Sequence, residues 1–316
     1  MLIGMKISVT VDELLLWDGT PMPAGYTPFT VLEAFLQHFV DHGVDAFGFP
    51  HTAPVEDDPR MREVLERWVD AGHHLGNHTH THACLNWVSG RQYVDDIKRA
   101  EDYIGEFVEQ APLKTFRYAM DMTGETEQKR GEVEDHLRRQ GYVNAPITAW
   151  FGDFAWIAPY ERALSNGDRE TAAMLRRTYI DAAVHHLLAS RDAAERTLGS
   201  EPPLIWLIHA TPIAQDTLGD VFARFVEHGA EFIGLAEAME HPVNRLMSPV
   251  SPLFRNHLQR LTEAVGDRIT PYSAEVMGRV LTAVLPDGED PFAVYDDMTH
   301  RMATRAGGDR TLWSWE

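Results

Sequence analysis

The chain has 316 residues, 44% of them hydrophobic and 24% charged, which is enough apolar material for a sizeable core and excludes global disorder, collagen-like, coiled-coil and disulfide-scaffold classes. Its 28 Lys and Arg stand against 48 Asp and Glu, a formal charge of −20, so the surface repels phosphate backbones and nucleic acid is excluded as the expected partner. No apolar run approaches the ~18 residues of a membrane span, and the lone Cys84 cannot form an internal disulfide, which suits a reducing compartment.

The N-terminal stretch MLIGMKISVTVDE has no basic region followed by a long apolar one and a cleavage site, so a cytoplasmic protein is expected. Leu2–Val11 reads as a first strand ending at Asp12-Glu13. Thr30–His42 follows helical periodicity, with Val31, Ala34, Phe35 and Phe39 on one stripe. A short strand over Asp45–Phe49 leads to a helix over Arg60–Ala71 that stops at Gly72. His74–Asn77 is predicted as a short buried strand, Tyr93–Val108 as a helix, and Lys114–Tyr118 as a strand. The charged helix Thr126–Arg139 is closed by Gly141, and the strand Tyr142–Ile147 follows. Arg169–Leu198 reads as one long helix with Leu175, Tyr179, Ala183 and Leu187 on one face. The apolar strand Pro203–His209, a helix over Thr217–His228 and a last strand over Glu231–Leu235 complete the series. About seven strands alternating with helices predict an α/β fold whose parallel sheet closes into a barrel or near-barrel. The alternation stops after Pro242. Residues 1–245 are thus expected to form a catalytic barrel and residues 246–316, punctuated by Pro249, Pro252, Pro271, Pro286 and Pro291, a helical C-terminal extension.

In such barrels the chemistry gathers at the C-terminal strand ends. Asp12, Glu13, His78, His82, Arg117, Asp153, Trp156 and His209 all fall at or just beyond predicted strand ends. The segment Gly76-Asn77-His78-Thr79-His80-Thr81-His82 is the sharpest local signal. If a helical turn begins after Asn77, His78 and His82 point to one side and can share a metal ion, while His80 points elsewhere. A solvated polar loop explains the segment about as well, and pairing of His78 with His80 ranks lower. Asp12 and Glu13 point to opposite sides of a strand, so one can ligate a metal while the other acts as a base. His209, at the end of Leu204–Ile208, is either a titrating group or a satisfied core histidine. Arg117 has the plain alternative of pairing with a surface acid. Trp150, Trp156 and Tyr160 read singly as core aromatics, Cys84 as a small buried thiol, His73, His74, His185 and His186 as structural, and Glu132–Arg139 as a solvated helix face.

Taken in order, these pieces resemble the polysaccharide deacetylase family of NodB-homology, carbohydrate esterase 4 type. Thr10-Val11-Asp12-Glu13 stands where that family has Thr-Phe-Asp-Asp-Gly. His78-Thr79-His80-Thr81-His82 matches its His-Ser/Thr-x-x-His motif, and Arg117 is kept from its Arg-x-Pro-Tyr, where this chain continues Tyr118-Ala119-Met120. Phe151-Gly152-Asp153-Phe154-Ala155-Trp156 partly matches its Asp/Trp stretch, and Leu207-Ile208-His209 matches Leu-x-His. The resemblance runs over roughly residues 5–243.

It implies a distorted (β/α)7 TIM-like barrel and a divalent metal, usually zinc. By motif position, Asp12 is the general base, Glu13, His78 and His82 are the metal ligands, and Arg117 orients the base. Asp153 belongs to the catalytic set, Tyr118 and Trp156 contact substrate, and His209 is the general acid. One carboxylate and two imidazoles leave open positions on a metal, as a catalytic site needs. The expected activity is metal-dependent removal of an acetyl group from an amide nitrogen of an amino-sugar or related carbohydrate. The expected partner is therefore a carbohydrate or small-molecule amide, with no nucleic acid and no membrane; a homo-oligomer stays open. The alternatives are a degenerate, non-catalytic barrel that binds metal or sugar, or a hydrolase of another non-peptide C–N bond. Glu13 in place of Asp and Ala119-Met120 in place of Pro-Tyr are the departures that separate these readings.

Overall fold

The computed structural model describes residues 4–14 and 22–310. The start of the predicted first strand, Leu2 and Ile3, and the last six residues of the predicted extension lie outside them. The strands are β1 (Met5–Asp12), β2 (Phe47–Phe49), β3 (His74–Leu75), β4 (Thr115–Phe116), β5 (Val143–Asn144), β6 (Leu204–His209) and β7 (Ala230–Phe232). Between and after them run α1 (Pro28–His42), α2 (Ala53–Asp57), α3 (Arg62–Asp70), α4 (Gly90–Gln110), α5 (Glu127–Gln140), α6 (Phe154–Ser165), α7 (Arg169–Leu198), α8 (Pro212–Glu227) and α9 (Leu235–Ala238). The chain continues through α10 (His257–Ala264), α11 (Ala274–Leu281) and α12 (Ala293–Arg305).

Among the described residues all strand pairs are parallel. β1 pairs with β2 at Thr10–Asp12 and, on its other edge, with β6 from Ile7 to Asp12. β3 pairs with β2, and β4 with β5. Two single bridges, Asn77 with Phe116 and Ala149 with Trp206, join the two sheets and close the ring. β7 pairs with Met5–Ile7, taking the lower part of the β1 edge whose upper part pairs with β2. Seven parallel strands held partly by single bridges make the distorted (β/α)7 barrel expected from the sequence. β1 and β6 are buried along almost their whole length, as strands covered on both faces must be, and this explains their nearly continuous apolar runs.

The local chemistry of the chain sets several boundaries. Thr27 caps α1 through a capping box with Thr30, and Gly43 ends it in the left-handed region. Thr126 caps α5 by accepting from the Lys129 N–H, and Gly141 ends it in the left-handed region. The 30-residue α7 matches its predicted limits. α8 begins at Pro212 behind the Thr211 cap, five residues before the predicted start, because Pro is pre-shaped for the first helical turn. Strands β3, β4 and β5 are shorter than predicted, since the chain leaves the ladder early and resumes contact through the single bridges. The short α2 and the Pro159-containing α6 are helices that the periodicity reading did not find.

The described residues after 246 carry α10, α11 and α12 and do not hang free of the barrel. Val280, Met298, Met302 and Ala303 belong to the same apolar core as β1, β6 and α1. Arg260 and Asp121 form a buried ion pair at 3.7 Å, and Arg260 Nη1 donates to the Asp121 carbonyl at 2.5 Å. The His257 N–H donates to the Asp121 carboxylate. Arg305 of α12 reaches Glu56 and Asp57 of α2 at 3.0 and 2.7 Å. None of the described helices is long and apolar enough to cross a membrane.

Candidate active site

The parallel register sets the site. Asp12, the last residue of β1, lies beside Phe49 of β2 on one edge and His209 of β6 on the other. The loops leaving β3, β4 and β5 carry His78–His82, Arg117–Asp121 and Trp150–Asp153 to the same end. This is the C-terminal face, where carbonyl-terminated strands release side chains into a common crevice.

Arg117, fully buried, organises one side. Its Nη1 donates to Asp12 Oδ1 at 2.6 Å and to Thr10 Oγ1 at 2.8 Å, and its Nε donates to the Ala145 carbonyl at 3.0 Å. The guanidinium lies 4.1 Å from the Phe49 ring centroid, which favours the cation further. Burial raises the Asp12 carboxyl above its ordinary range, and Arg117 opposes that rise. The plain alternative of a surface ion pair for Arg117 is thus overturned: the pair is internal and holds the expected base in one orientation.

Asp153 and His209 form the second side. Asp153 Oδ1 accepts from His209 Nδ1 at 2.8 Å and from Trp150 Nε1 at 2.7 Å, while Oδ2 accepts from the His209 N–H at 2.9 Å. Burial alone would lower the His209 pKa, but the Asp153 carboxylate, with smaller contributions from Glu13 and Asp12, raises it to about 9. His209 is thus a cation near neutral pH, with Nδ1 tied to Asp153 and Nε2 left to serve a ligand. The same charge pulls Asp153 below the usual carboxylate range against the effect of burial.

Between these two pairs lie two imidazoles. His78 Nδ1 meets the Arg117 carbonyl at 2.9 Å. A carbonyl only accepts, so Nδ1 carries the proton and Nε2 exposes a lone pair. That Nε2 has no hydrogen-bond partner, although it is fully buried, and it stands 3.6 Å from Asp12 Oδ2. The His78 and His82 ring centroids are 4.8 Å apart, and His82 Nε2 is 3.2 Å from Glu13 Oε1. Burial drives both rings well below the ordinary histidine pKa, so both are neutral donors. The segment is a loop and not the helical turn expected. Thr79 and His82 have φ of 67° and 59°, and the loop is held by Asn77 Oδ1 accepting from the Thr79 N–H and Thr79 Oγ1 accepting from the His82 N–H. His80 turns away, bonded to Thr52 Oγ1 at 2.8 Å and Glu56 Oε2 at 3.0 Å, which removes the rival pairing with His78.

Among the described residues no three His, Cys, Asp or Glu side chains form a ready cage for an ion. The donor chemistry nevertheless fits a divalent metal. A buried imidazole fixed through Nδ1, with a bare and unsatisfied Nε2 near the Asp12 carboxylate and beside a second imidazole that meets Glu13, is the arrangement by which a histidine is oriented for ligation.

Two expected residues fall elsewhere. Trp156 is fully buried, donates to Thr178 Oγ1 at 2.9 Å and packs edge-on against Tyr179, so it is a core residue of α6. Tyr118 is equally buried, stacks on Tyr93 and donates to Glu134 Oε1 at 2.8 Å. Neither side chain lines the cavity beside Asp12, Glu13, His82 and His209. Trp150 and Phe154 do so instead, together with Met120 and residues of the extension. The sequence pattern assigns Trp150 to the core and gives Phe154 no separate role, because a one-residue choice within an aromatic stretch depends on where α6 begins. His51 is a further residue beside the site that no motif marks. It follows β2, is buried, and its ring centroid is 5.5 Å from that of His82; its place just past a strand end was the available signal. His73 lies in the core against Phe39 and Trp68, and burial pushes the Cys84 thiol up, which leaves it inert.

The backbone around the site is unusual. Glu13, Thr79, His82, Met120 and Asp121 all have φ between 47° and 67°, a region costly for non-glycine residues and frequent at functional sites. Beside Tyr118, the Ala119 N–H is already taken by the Tyr93 hydroxyl at 3.2 Å.

Comparison with known proteins supports the resemblance. The polysaccharide deacetylase family model matches residues 14–130, a stretch that includes His78, His82 and Arg117 and leaves Asp12, Glu13, Asp153 and His209 outside it. No curated protein matches the chain. A mutant of a CE4 family pseudoenzyme from Bacillus anthracis is 16% identical, with a TM-score of 0.50 over 76% of this chain and 68% of that one. Bacillus subtilis PdaA, a family 4 carbohydrate esterase, is 20% identical, with a TM-score of 0.46 over 75% of this chain and 81% of that one. At such identities the likeness speaks to the fold.

Proposed function

We propose that the chain is a metal-dependent hydrolase that removes an acyl group, acetyl in the first instance, from an amide nitrogen of an amino-sugar or related small molecule. One observation carries this reading. Two oppositely charged pairs, Asp12 with Arg117 and His209 with Asp153, flank a pair of buried neutral imidazoles, so a carboxylate base and an imidazolium acid face one crevice.

Glu13, His78 and His82 are the residues that would hold the metal, and a divalent ion such as zinc would supply Lewis-acid polarisation of the amide oxygen and a more acidic water. Asp12, held at Oδ1 by Arg117, keeps Oδ2 turned to the crevice and takes the proton of the attacking water. Arg117 keeps that carboxylate in register and does not itself need to touch substrate. His209 arrives protonated and delivers the Nε2 proton to the leaving nitrogen. Water adds across the C–N bond, yielding acetate and a free amine. A second reading, a barrel that binds without turnover, is favoured by Met120 at the pocket wall and by the longer Glu13 arm lying against His82.

The deciding experiment is acetate release from a panel of acetylated amino-sugars and small amides by protein titrated with zinc and other divalent ions. Metal-dependent release that Asp12→Asn abolishes supports the hydrolase. Stoichiometric metal binding with no release across the panel supports the binding barrel.

A further inference from the structure

The residues after 246 build one wall of the candidate active site. Phe254, Asn256, Tyr295, Met298 and Thr299 face the same cavity as Asp12 and His209. Aromatic contacts seal the seam between barrel and extension. Trp150 and Phe254 lie 5.5 Å apart, and Phe154 and Tyr295 5.2 Å apart, each edge-on. The Tyr295 hydroxyl donates to the Phe154 carbonyl at 2.8 Å. Farther back, the Asp121–Arg260 pair fastens α10 to the loop that carries Met120. The wall is therefore a fixed part of the fold.

Polar groups are concentrated at one end of this cavity, at Asp12, Glu13, His82 and His209. The rest is mainly apolar, chiefly Met120, Trp150, Phe154, Phe254, Tyr295 and Met298. Two polar atoms of the extension are already engaged. The Thr299 hydroxyl donates to the Tyr295 carbonyl at 2.9 Å, and Asn256 Oδ1 accepts from the Gln259 N–H at 2.9 Å. A sugar within a polymer would need an open groove and partners for its hydroxyls, and hydroxyls buried against apolar walls without partners lose affinity.

We infer that this site takes a small, non-polymeric N-acyl amide whose amine side carries an aromatic or aliphatic group, and that the C-terminal extension is the element that sets this choice. The inference rests on the acyl-amide hydrolase reading for the polar end of the site. The acyl group points to the Asp12–His209 end, and the apolar part of the amine lies between Trp150 and Phe154 of the barrel and Phe254 and Met298 of the extension.

The test measures binding by calorimetry on the full, zinc-titrated chain, using acetanilide, N-acetylglucosamine and N-acetylchitotetraose. Acetanilide is expected to bind at least tenfold more tightly than either sugar. Phe254→Ala and Met298→Ala are each expected to weaken acetanilide at least fivefold, with far-ultraviolet circular dichroism unchanged. Phe254→Leu keeps an apolar contact at the half-buried position and guards against misfolding of the alanine variant; it should retain most of the affinity. Equal or tighter binding of the tetrasaccharide, no measurable acetanilide binding, or wild-type affinity in both alanine variants overturns the inference. The two readings fail separately. Bound acetanilide with the expected preference but no acetate release sinks the hydrolase and leaves the pocket assignment standing. Release of acetate from the tetrasaccharide without acetanilide binding does the reverse.

Discussion

Asp153→Asn tests the proposed acid without touching it. Asn keeps the shape of Asp153 and removes the charge that holds His209 protonated. Burial by itself lowers the His209 pKa, so loss of the Asp153 carboxylate should bring it from about 9 to the ordinary histidine value of about 6.5 or below. That is a change of at least about 2 pKa units, or roughly 3 kcal/mol at 1.36 kcal/mol per unit. The hydrogen-bond arithmetic also changes. Asp153 accepts from three donors, the Trp150 indole, His209 Nδ1 and the His209 N–H, whereas Asn offers one oxygen and two N–H groups. At least one buried donor must lose its acceptor, at a cost of about 1–3 kcal/mol. The wild-type pair has a definite pH window. A raised histidine pKa contributes stability that is fully present below about pH 6.5 and is lost as pH rises through about 9. The melting temperature of the wild type should therefore fall over that interval, and that of Asp153→Asn should not. In kinetics, wild-type kcat should fall above about pH 9 as His209 deprotonates. The variant should lose about 100- to 10,000-fold at pH 8 and recover in part toward pH 6. The His209 ring resonance, followed by NMR titration, checks the pKa independently of turnover. A His209 pKa within half a unit of the wild-type value in Asp153→Asn would refute the reasoning.

Four further outcomes follow from the same structure. His82→Ala should lower zinc affinity by about 10-fold or more, because two of the three expected donors make an incomplete site; unchanged metal content by elemental analysis removes His82 from the ligand set. Asp12→Asn should retain metal and lose turnover, and Glu13→Asp should loosen the metal, since a shorter arm from a residue at φ 47° reaches less far; metal titration of both variants decides. Gly76→Ala should destabilise the barrel by about 1–3 kcal/mol or more in urea unfolding, because its methyl group would sit 2.3 Å from the Phe49 ring and 2.4 Å from Thr115 Oγ1; a ΔΔG below about 0.5 kcal/mol contradicts the packing described.

The sequence by itself determined the parts that rest on local periodicity and short motifs. The alternation of apolar runs with amphipathic segments fixed seven strands and their helices, and cap residues such as Thr126 and Gly141 fixed helix ends, because capping satisfies backbone groups within a few residues. The positions of Asp12, Glu13, His78, His82, Arg117 and His209 at strand ends were legible for the same reason, since parallel strands deliver their last residues to one face. What only the tertiary structure decided depends on contacts between distant segments. Arg117 reads equally well as a surface group until the barrel closes and brings it from the end of β4 within reach of the end of β1, where it finds Asp12 across 105 positions of sequence. The choice of Phe154 over Trp156 at the cavity was set by the start and facing of α6, a Pro-containing helix whose apolar residues show no single stripe, and Tyr118 is drawn away by Tyr93 and Glu134. The extension gave no sign of its place, for its short Pro-bounded helices carry no motif. Only their packing against Asp121, Trp150 and Phe154 makes them a wall of the site, and that packing depends on shape complementarity across the whole chain, which no local pattern encodes.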